Sequence, residues 1–205
     1  LIPFEFSTTQ TYVLEFGNTY MRVYKDGGQV LNSGTVVEIS TPYSAAEANE
    51  LKFTQSADVL YIVHPSHQPR KLSRSSHTSW TLSLYAPTNN PFGSTNNFPS
   101  CVTFFEERLV FAGTNNDPQK LFFSKAGDFE DMTTGTNADD GMSFTIGSDQ
   151  VNAIKYLKGL RTLLIGTVGG EFVATASTSA EPITPTNIQI KRQAGYGTSD
   201  VDALL

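Results

Sequence analysis

Apolar and polar residues alternate in short runs along this chain, and the runs recur. Phe4-Glu5-Phe6, Leu51-Lys52-Phe53, Val102-Thr103-Phe104 and Ile154-Lys155-Tyr156 exchange apolar for polar at every position. That is the period-two signature of a strand with one packed face. The closing aromatics, Phe6, Phe53, Phe104 and Tyr156, fall 47, 51 and 52 residues apart and read as the anchors of a repeat. Behind each comes a second run: Tyr12–Phe16, Val59–Val63, Leu109–Gly113 and Leu163–Thr167. Three of these are almost wholly apolar, as expected of strands buried on both faces. Turns rich in Gly, Asn and Pro follow at Gly17-Asn18, Pro65–Pro69, Asn115–Pro118 and Gly169-Gly170, the last being the cleanest two-residue hairpin signal. Third strands are predicted at Tyr20–Tyr24, Arg70–Ser73, Lys120–Ser124 and Glu171–Thr175, and fourth strands at Val36–Ile39, Trp80–Leu84, Ser143–Ile146 and Ile188–Lys191.

A unit of about 45–50 residues made only of strands is what one blade of a β-propeller looks like in sequence. A lone twisted sheet cannot bury both of its apolar faces, so neighbouring sheets stack and share the burial. The fold expected is all-β and propeller-like, with about four four-stranded blades. The repeats run over about 1–50, 51–99, 100–150 and 151–205, within a single propeller-like domain covering 1–205. An apolar stretch opening at Asp202–Leu205, and a start at Leu1 directly in a strand, lead us to expect a fragment of a longer chain and part of a larger ring. Thr88–Pro99 reads as a mobile surface loop. Ser44–Glu50 is the one helix-like piece, with Ser44 as N-cap and Glu47 three residues later.

Composition sharpens this picture. The chain is 39% hydrophobic and only 17% charged, which fits a β-rich globular protein and excludes a disordered acidic tail or a coiled coil. The net charge of −6 excludes a broad basic footprint for nucleic acid. The short basic clusters Arg70, Lys71, Arg74 and Lys191, Arg192 read as solvated strand ends. No run in the sequence is long and apolar enough to span a bilayer, and none reads as a signal peptide, so neither is expected here. Cys101 is the single cysteine, set beside Val102, Phe104 and Phe105, and reads as a buried structural thiol.

Candidate chemistry is sparse. Nucleotide-binding, zinc-protease, hydrolase and dithiol signatures are absent. His64 and His67 stand at metal-ligand spacing in a hairpin loop, but no third ligand is near in sequence, so a solvated loop is expected. Gly135–Asp140 resembles half of a calcium loop and lacks the glycine and closing glutamate of an EF-hand. Glu106-Glu107 and Asp139-Asp140 are adjacent pairs that would face opposite ways in a strand, which argues against acid–base catalysis. Ser75–Trp80 resembles the Asp-box turn of sialidase-type propellers with His77 in the aspartate position; that turn is structural even in those enzymes. No catalytic, cofactor-binding or metal residue is therefore assigned, no cofactor is expected, and the chain is read as a non-enzyme.

One ordered phrase goes further. It runs Phe104-Phe105-Glu106-Glu107-Arg108-Leu109-Val110-Phe111-Ala112-Gly113, then Leu121 to Phe129, then Ser148 to Ile154, Leu163 to Thr167 and Gly170-Glu171-Phe172-Val173. This series resembles the tail nozzle proteins of short-tailed bacteriophages, also called tail tubular protein B, over roughly residues 100–190. The resemblance implies a propeller-like domain in a structural virion protein made in the host cytoplasm, whose longer chain assembles as a hexameric ring with other tail proteins. Genome would pass through that ring on ejection without specific binding. It carries over no catalytic residues. It also implies that Arg108 is a paired, partly buried arginine, with a partner inside the chain favoured over one in a neighbouring subunit. Asp128 is expected to turn the chain before Phe129, whose ring then packs on the blade. Two alternatives stand beside this reading: a propeller module binding glycan or protein, marked by aromatics clustered on one loop surface, and a carbohydrate-active propeller enzyme, marked by carboxylates converging on an axis.

Overall fold

Each of the four repeats folds into an antiparallel sheet; in the second, third and fourth the strands lie in chain order, each hydrogen-bonded to the one before it, and in the first the last strand returns to pair with the third. The computed structural model describes residues 1–94, 96–147, 152–178 and 181–200. The fold is all-β and propeller-like: four blades, their strands joined by hairpins, with a single short 3-10 turn at Glu47–Asn49 among the described residues. The chain divides into two compact units, Leu1–Tyr85 and Ala86–Leu205, and each holds two blades. No helix among the described residues is long and apolar enough to cross a membrane. Val201 to Leu205, where a further strand was expected, lie outside the described residues, as do Ser148 to Val151 of the phage-like phrase.

In the first unit, blade one is built from β1 (Ile2–Ser7), β2 (Gln10–Phe16) and β3 (Tyr20–Lys25). Its fourth position is shared by two short strands, β4 (Gly28–Gln29) and β7 (Glu38–Ser40), both paired with β3. Between them β5 (Leu31–Asn32) and β6 (Thr35–Val36) make a small separate hairpin. The sequence predicts one strand at 36–39 here. It breaks at Val37 instead, and two tight turns fold the segment before it: Asp26-Gly27 at φ 52° and 78°, and Ser33-Gly34 at φ 50° and 87°. Positive φ at both central residues is the hairpin geometry that glycine favours. Val30 N–H still bonds the Val23 carbonyl at 2.8 Å, and Val37 N–H the Val30 carbonyl at 2.9 Å, so both valines stay in the core.

Blade two comprises β8 (Lys52–Ser56), β9 (Val59–His64), β10 (His67–Arg74) and β11 (Trp80–Leu84). The two blades share one core: Phe4, Tyr12, Leu14, Met21 and Val23 meet Leu60, Ile62, Leu72 and Trp80. The Trp80 ring stands edge-on to Phe4 at 4.8 Å and to Tyr12 at 5.2 Å. Truncating a ring so placed costs about 3–5 kcal/mol. The first strands of the two blades are tied by one side chain. Gln55 of β8 accepts from the Glu5 N–H at 3.1 Å and donates to the Glu5 carbonyl at 2.7 Å.

In the second unit, blade three is β12 (Pro99–Phe105), β13 (Arg108–Thr114), β14 (Lys120–Phe123) and β15 (Met142–Thr145). Blade four is β16 (Ile154–Gly159), β17 (Leu163–Thr167), β18 (Gly170–Ala176) and β19 (Ile188–Ala194). Cys101, Phe105, Val110, Ala112, Leu121 and Phe123 pack on Ile154, Leu157, Leu163, Ile165 and Phe172. The first strands again run close together. A Cβ on Gly159 of β16 would lie 2.1 Å from the Phe104 carbonyl oxygen of β12, so only glycine fits there.

Four expectations are corrected. The recurring aromatics are not equivalent anchors: Tyr156 is buried, but Phe6 and Phe53 are 42% and 37% exposed. Phe4, two residues earlier on the same strand, takes the core instead, and Phe6 serves as a platform for Arg74 at 3.9 Å. The glycine hairpin is shifted by one residue. Thr167 pairs with Gly170, which leaves Val168-Gly169 as the loop. Glu106-Glu107 is no strand pair. Phe105 pairs with Arg108 and the glutamates are the turn, at φ 46° and 59°. Finally, 88–99 does not stand off as a free surface loop. Phe92 is fully buried against Phe111 and Phe122, at 4.9 and 5.3 Å, and covers the second apolar face of blade three.

Candidate functional site

Arg108 opens β13 and is only 1% exposed. Its guanidinium does pair within the chain, but with backbone rather than with a carboxylate. Nη1 donates to the carbonyls of Ser124 at 2.8 Å and Asp140 at 2.7 Å, and Nη2 to that of Ala138 at 2.6 Å. Burial pulls the guanidinium pKa down, opposed by the charges of Asp139, Glu106 and Asp140. The long acidic loop after β14 is thereby stapled to the blade. The same contacts dispose of the half calcium loop. Its carbonyls, which would face a cation, face Arg108. Asp140 accepts from the Asn137 N–H at 3.0 Å and lies 3.7 Å from Lys125 Nζ. Asp128 accepts from the Glu130 N–H at 3.0 Å, the expected turn, and Phe129 stacks on Phe104 at 4.8 Å.

Two other sequence candidates resolve as structure. The Ser75–Trp80 segment is a hairpin turn in which Ser75 N–H bonds the Ser79 carbonyl at 3.0 Å and Trp80 Nε1 donates to the His77 carbonyl at 3.2 Å. Trp80 is buried, so the only tryptophan lies in the core and not on a loop surface. Cys101 is buried at 1% exposure with its Sγ 3.9 Å from the Ile154 carbonyl.

The histidine pair is different, because the fold supplies what the sequence does not. His64 ends β9 and His67 starts β10, with Pro65-Ser66 as the two-residue turn between them. Directly opposed residues of an antiparallel hairpin project on the same face, and the two rings lie 5.2 Å apart. The 3-10 turn brings up Glu47, which the sequence marks only as a capping residue. Ser44 and Glu47 do exchange the bonds of a capping box: Ser44 N–H and Oγ each donate to Glu47 Oε2 at 2.8 Å. That fixes the carboxylate so that Oε1 lies 3.0 Å from His67 Nε2. Together the Ser44 N–H, the Ser44 hydroxyl and His67 hold the Glu47 carboxyl down at about 2, below its usual 4.5. Glu50 sits 3.2 Å from His64 Nε2, and the Ser66 N–H donates to His64 Nδ1 at 3.1 Å.

Tyr43 closes this cluster from below, its ring edge-on to His67 at 5.2 Å. Its hydroxyl is buried without a hydrogen-bond partner among the described residues, as is Arg70 Nε. Burial raises the Tyr43 pKa, Arg70 opposes the rise and Glu47 adds to it, so both charges act on the phenol. Glu47, His64 and His67 offer one ligand atom each within 4.8 Å of one another.

No family model matches the chain, and no curated protein matches it.

Proposed function

We propose that this chain is a non-enzymatic structural component of a short-tailed phage virion, a propeller-like part of the tail nozzle. In that role it would assemble with copies of itself and with other tail proteins as a ring, a hexamer in its longer form. The ring would form part of the conduit for genome ejection.

The observation that carries the reading is the use of the phage-like phrase. Its described residues lie in two consecutive blades, and several of them serve to hold the architecture. Arg108 ties down the acidic loop, Phe129 packs on Phe104, and Leu163, Ile165 and Phe172 fill the shared core. Glu106 also reaches across the unit, accepting from the Ile183 N–H at 2.5 Å. A motif whose described contacts hold the fold together suits a virion part. The net charge of −6 suits a passage that must let phosphates slide.

Electron microscopy of the protein is the direct test. Rings or short tubes with a central opening support the proposal, and genes for portal, adaptor and tail proteins should flank its own. Monodisperse monomers from a locus of metabolic genes would overturn it.

A further inference from the structure

We infer that Glu47, His64 and His67 form a binding site for one divalent transition-metal ion of the zinc class. The site ties the β9–β10 hairpin to the 3-10 turn. Two imidazoles and one carboxylate are a donor set that zinc takes readily, with a fourth position left for water. Hard ions such as calcium or magnesium prefer an all-oxygen shell, so this set selects against them.

Three observations point to a ligand here. The Glu47 carboxylate is fixed in place by two bonds from Ser44 and aimed at His67 before any ion arrives. His64 is 2% exposed and His67 23%, so the nitrogens sit in a sheltered but reachable place. Tyr43, fully buried against both rings, keeps a hydroxyl with no partner among the described residues. A buried polar group left unsatisfied is costly, and a metal-bound water on the Tyr43 side of the cluster would supply the partner that it lacks.

The donor atoms lie within 4.8 Å of one another. Sharing one ion at bonds of about 2.0–2.1 Å in a tetrahedral shell asks the widest pair to close by up to roughly 1.5 Å, a matter of side-chain rotation. Both ring nitrogens of His64 are engaged in the metal-free chain, one by the Ser66 N–H and one by Glu50. The ion displaces one of these contacts. If the Ser66 bond yields, Glu50 remains as the outer carboxylate that orients a ligating imidazole.

The test uses the whole chain without a polyhistidine tag. Isothermal titration with zinc should saturate at one equivalent, and cobalt should give the visible absorption bands of a low-coordinate N,O site. Glu47→Gln and His67→Gln should each weaken zinc at least about tenfold, while His77→Gln, on the Tyr12 side of the unit, leaves it unchanged. Folding of each variant is checked by circular dichroism. The cobalt spectrum of the unaltered chain decides the matter even if a variant fails to fold. No heat of binding and no cobalt bands in the unaltered chain, or equal zinc binding in all three folded variants, would overturn the assignment.

Discussion

At the scale of single residues, Arg108 and Glu47 show how one charge can organise a loop. Arg108 is almost wholly buried and makes strong bonds to three carbonyls from two segments. Arg108→Ala leaves those acceptors in a dry site without donors. The expected loss is about 3 kcal/mol of stability for the second unit, read from urea unfolding. Arg108→Lys should recover only part of it, because an ammonium cannot fork toward separate carbonyls. Glu47 gives a pH dependence whose sign is fixed. Its folded pKa of about 2 lies below the ordinary 4.5. Its contribution is therefore complete above pH 4.5 and is lost as pH falls toward 2. Site-resolved NMR of the side-chain carboxyl should place its midpoint near 2, and Ser44→Ala should move it up toward 4.5. A midpoint already near 4.5 in the unaltered chain would mean that the capping box does not hold in solution.

At the scale of elements, the hairpins decide what was legible. Strands such as Val59–His64 and Leu163–Thr167 were plain in the sequence, because an apolar run of that length between turn residues has few other uses. Phe6 misled because period two assumes an unbroken ladder; the register of β1 against β2 shifts between Glu5 and Ser7, so Phe6 falls in the irregularity and only Phe4 is buried. The Glu106-Glu107 turn was illegible because turn chemistry asks for Asn, Asp or Gly there. The fold imposes it by pairing Phe105 with Arg108. The metal cluster was hidden for a related reason. Glu47 lies 17 residues before His64 in sequence, and only the capping box and the hairpin register together bring their atoms within reach.

The strained turn yields its own prediction. A left-handed conformation costs a non-glycine residue about 1–2 kcal/mol, and Glu107 adopts one at φ 59°. Glu106 has a use for its side chain, the bond to Ile183 N–H. The contact made by Glu107 in this turn is through its backbone carbonyl, which accepts from Gly127 N–H at 2.8 Å. Glu107→Gly keeps that carbonyl and removes the strain, at the price of glycine's greater freedom when unfolded. A net gain of about 0.5–1 kcal/mol is expected, seen as a higher urea midpoint with an unchanged slope. Glu106→Gly, which also breaks the Ile183 bond, should not stabilise.

At the scale of the whole molecule, charge is the property that bears on the proposed role as part of a genome conduit. The excess is negative, and many of the cations are already engaged. Arg22 is 2.8 Å from Glu38, Arg74 is 2.8 Å from Asp58, Lys25 is 2.9 Å from Asp26 and Lys155 is 2.9 Å from Asp200. Solvent-facing pairs such as those of Arg22, Lys25 and Lys155 add little stability, and each of the four offers a phosphate a cation that already has a partner. Arg108 is buried and unavailable to any ligand. Non-specific duplex binding rests on cations that release counterions from phosphate, and it ordinarily shows dissociation constants of about 10⁻⁴–10⁻⁶ M with a steep salt dependence. This chain should show neither. Fluorescence anisotropy with a labelled 20-bp duplex should rise no further at 50 mM salt than at 300 mM, across protein concentrations up to about 10⁻⁴ M. Micromolar binding that weakens linearly in log affinity against log salt would reveal a basic surface strong enough to grip DNA. A passage lined by this protein would then hold the genome back instead of letting it through.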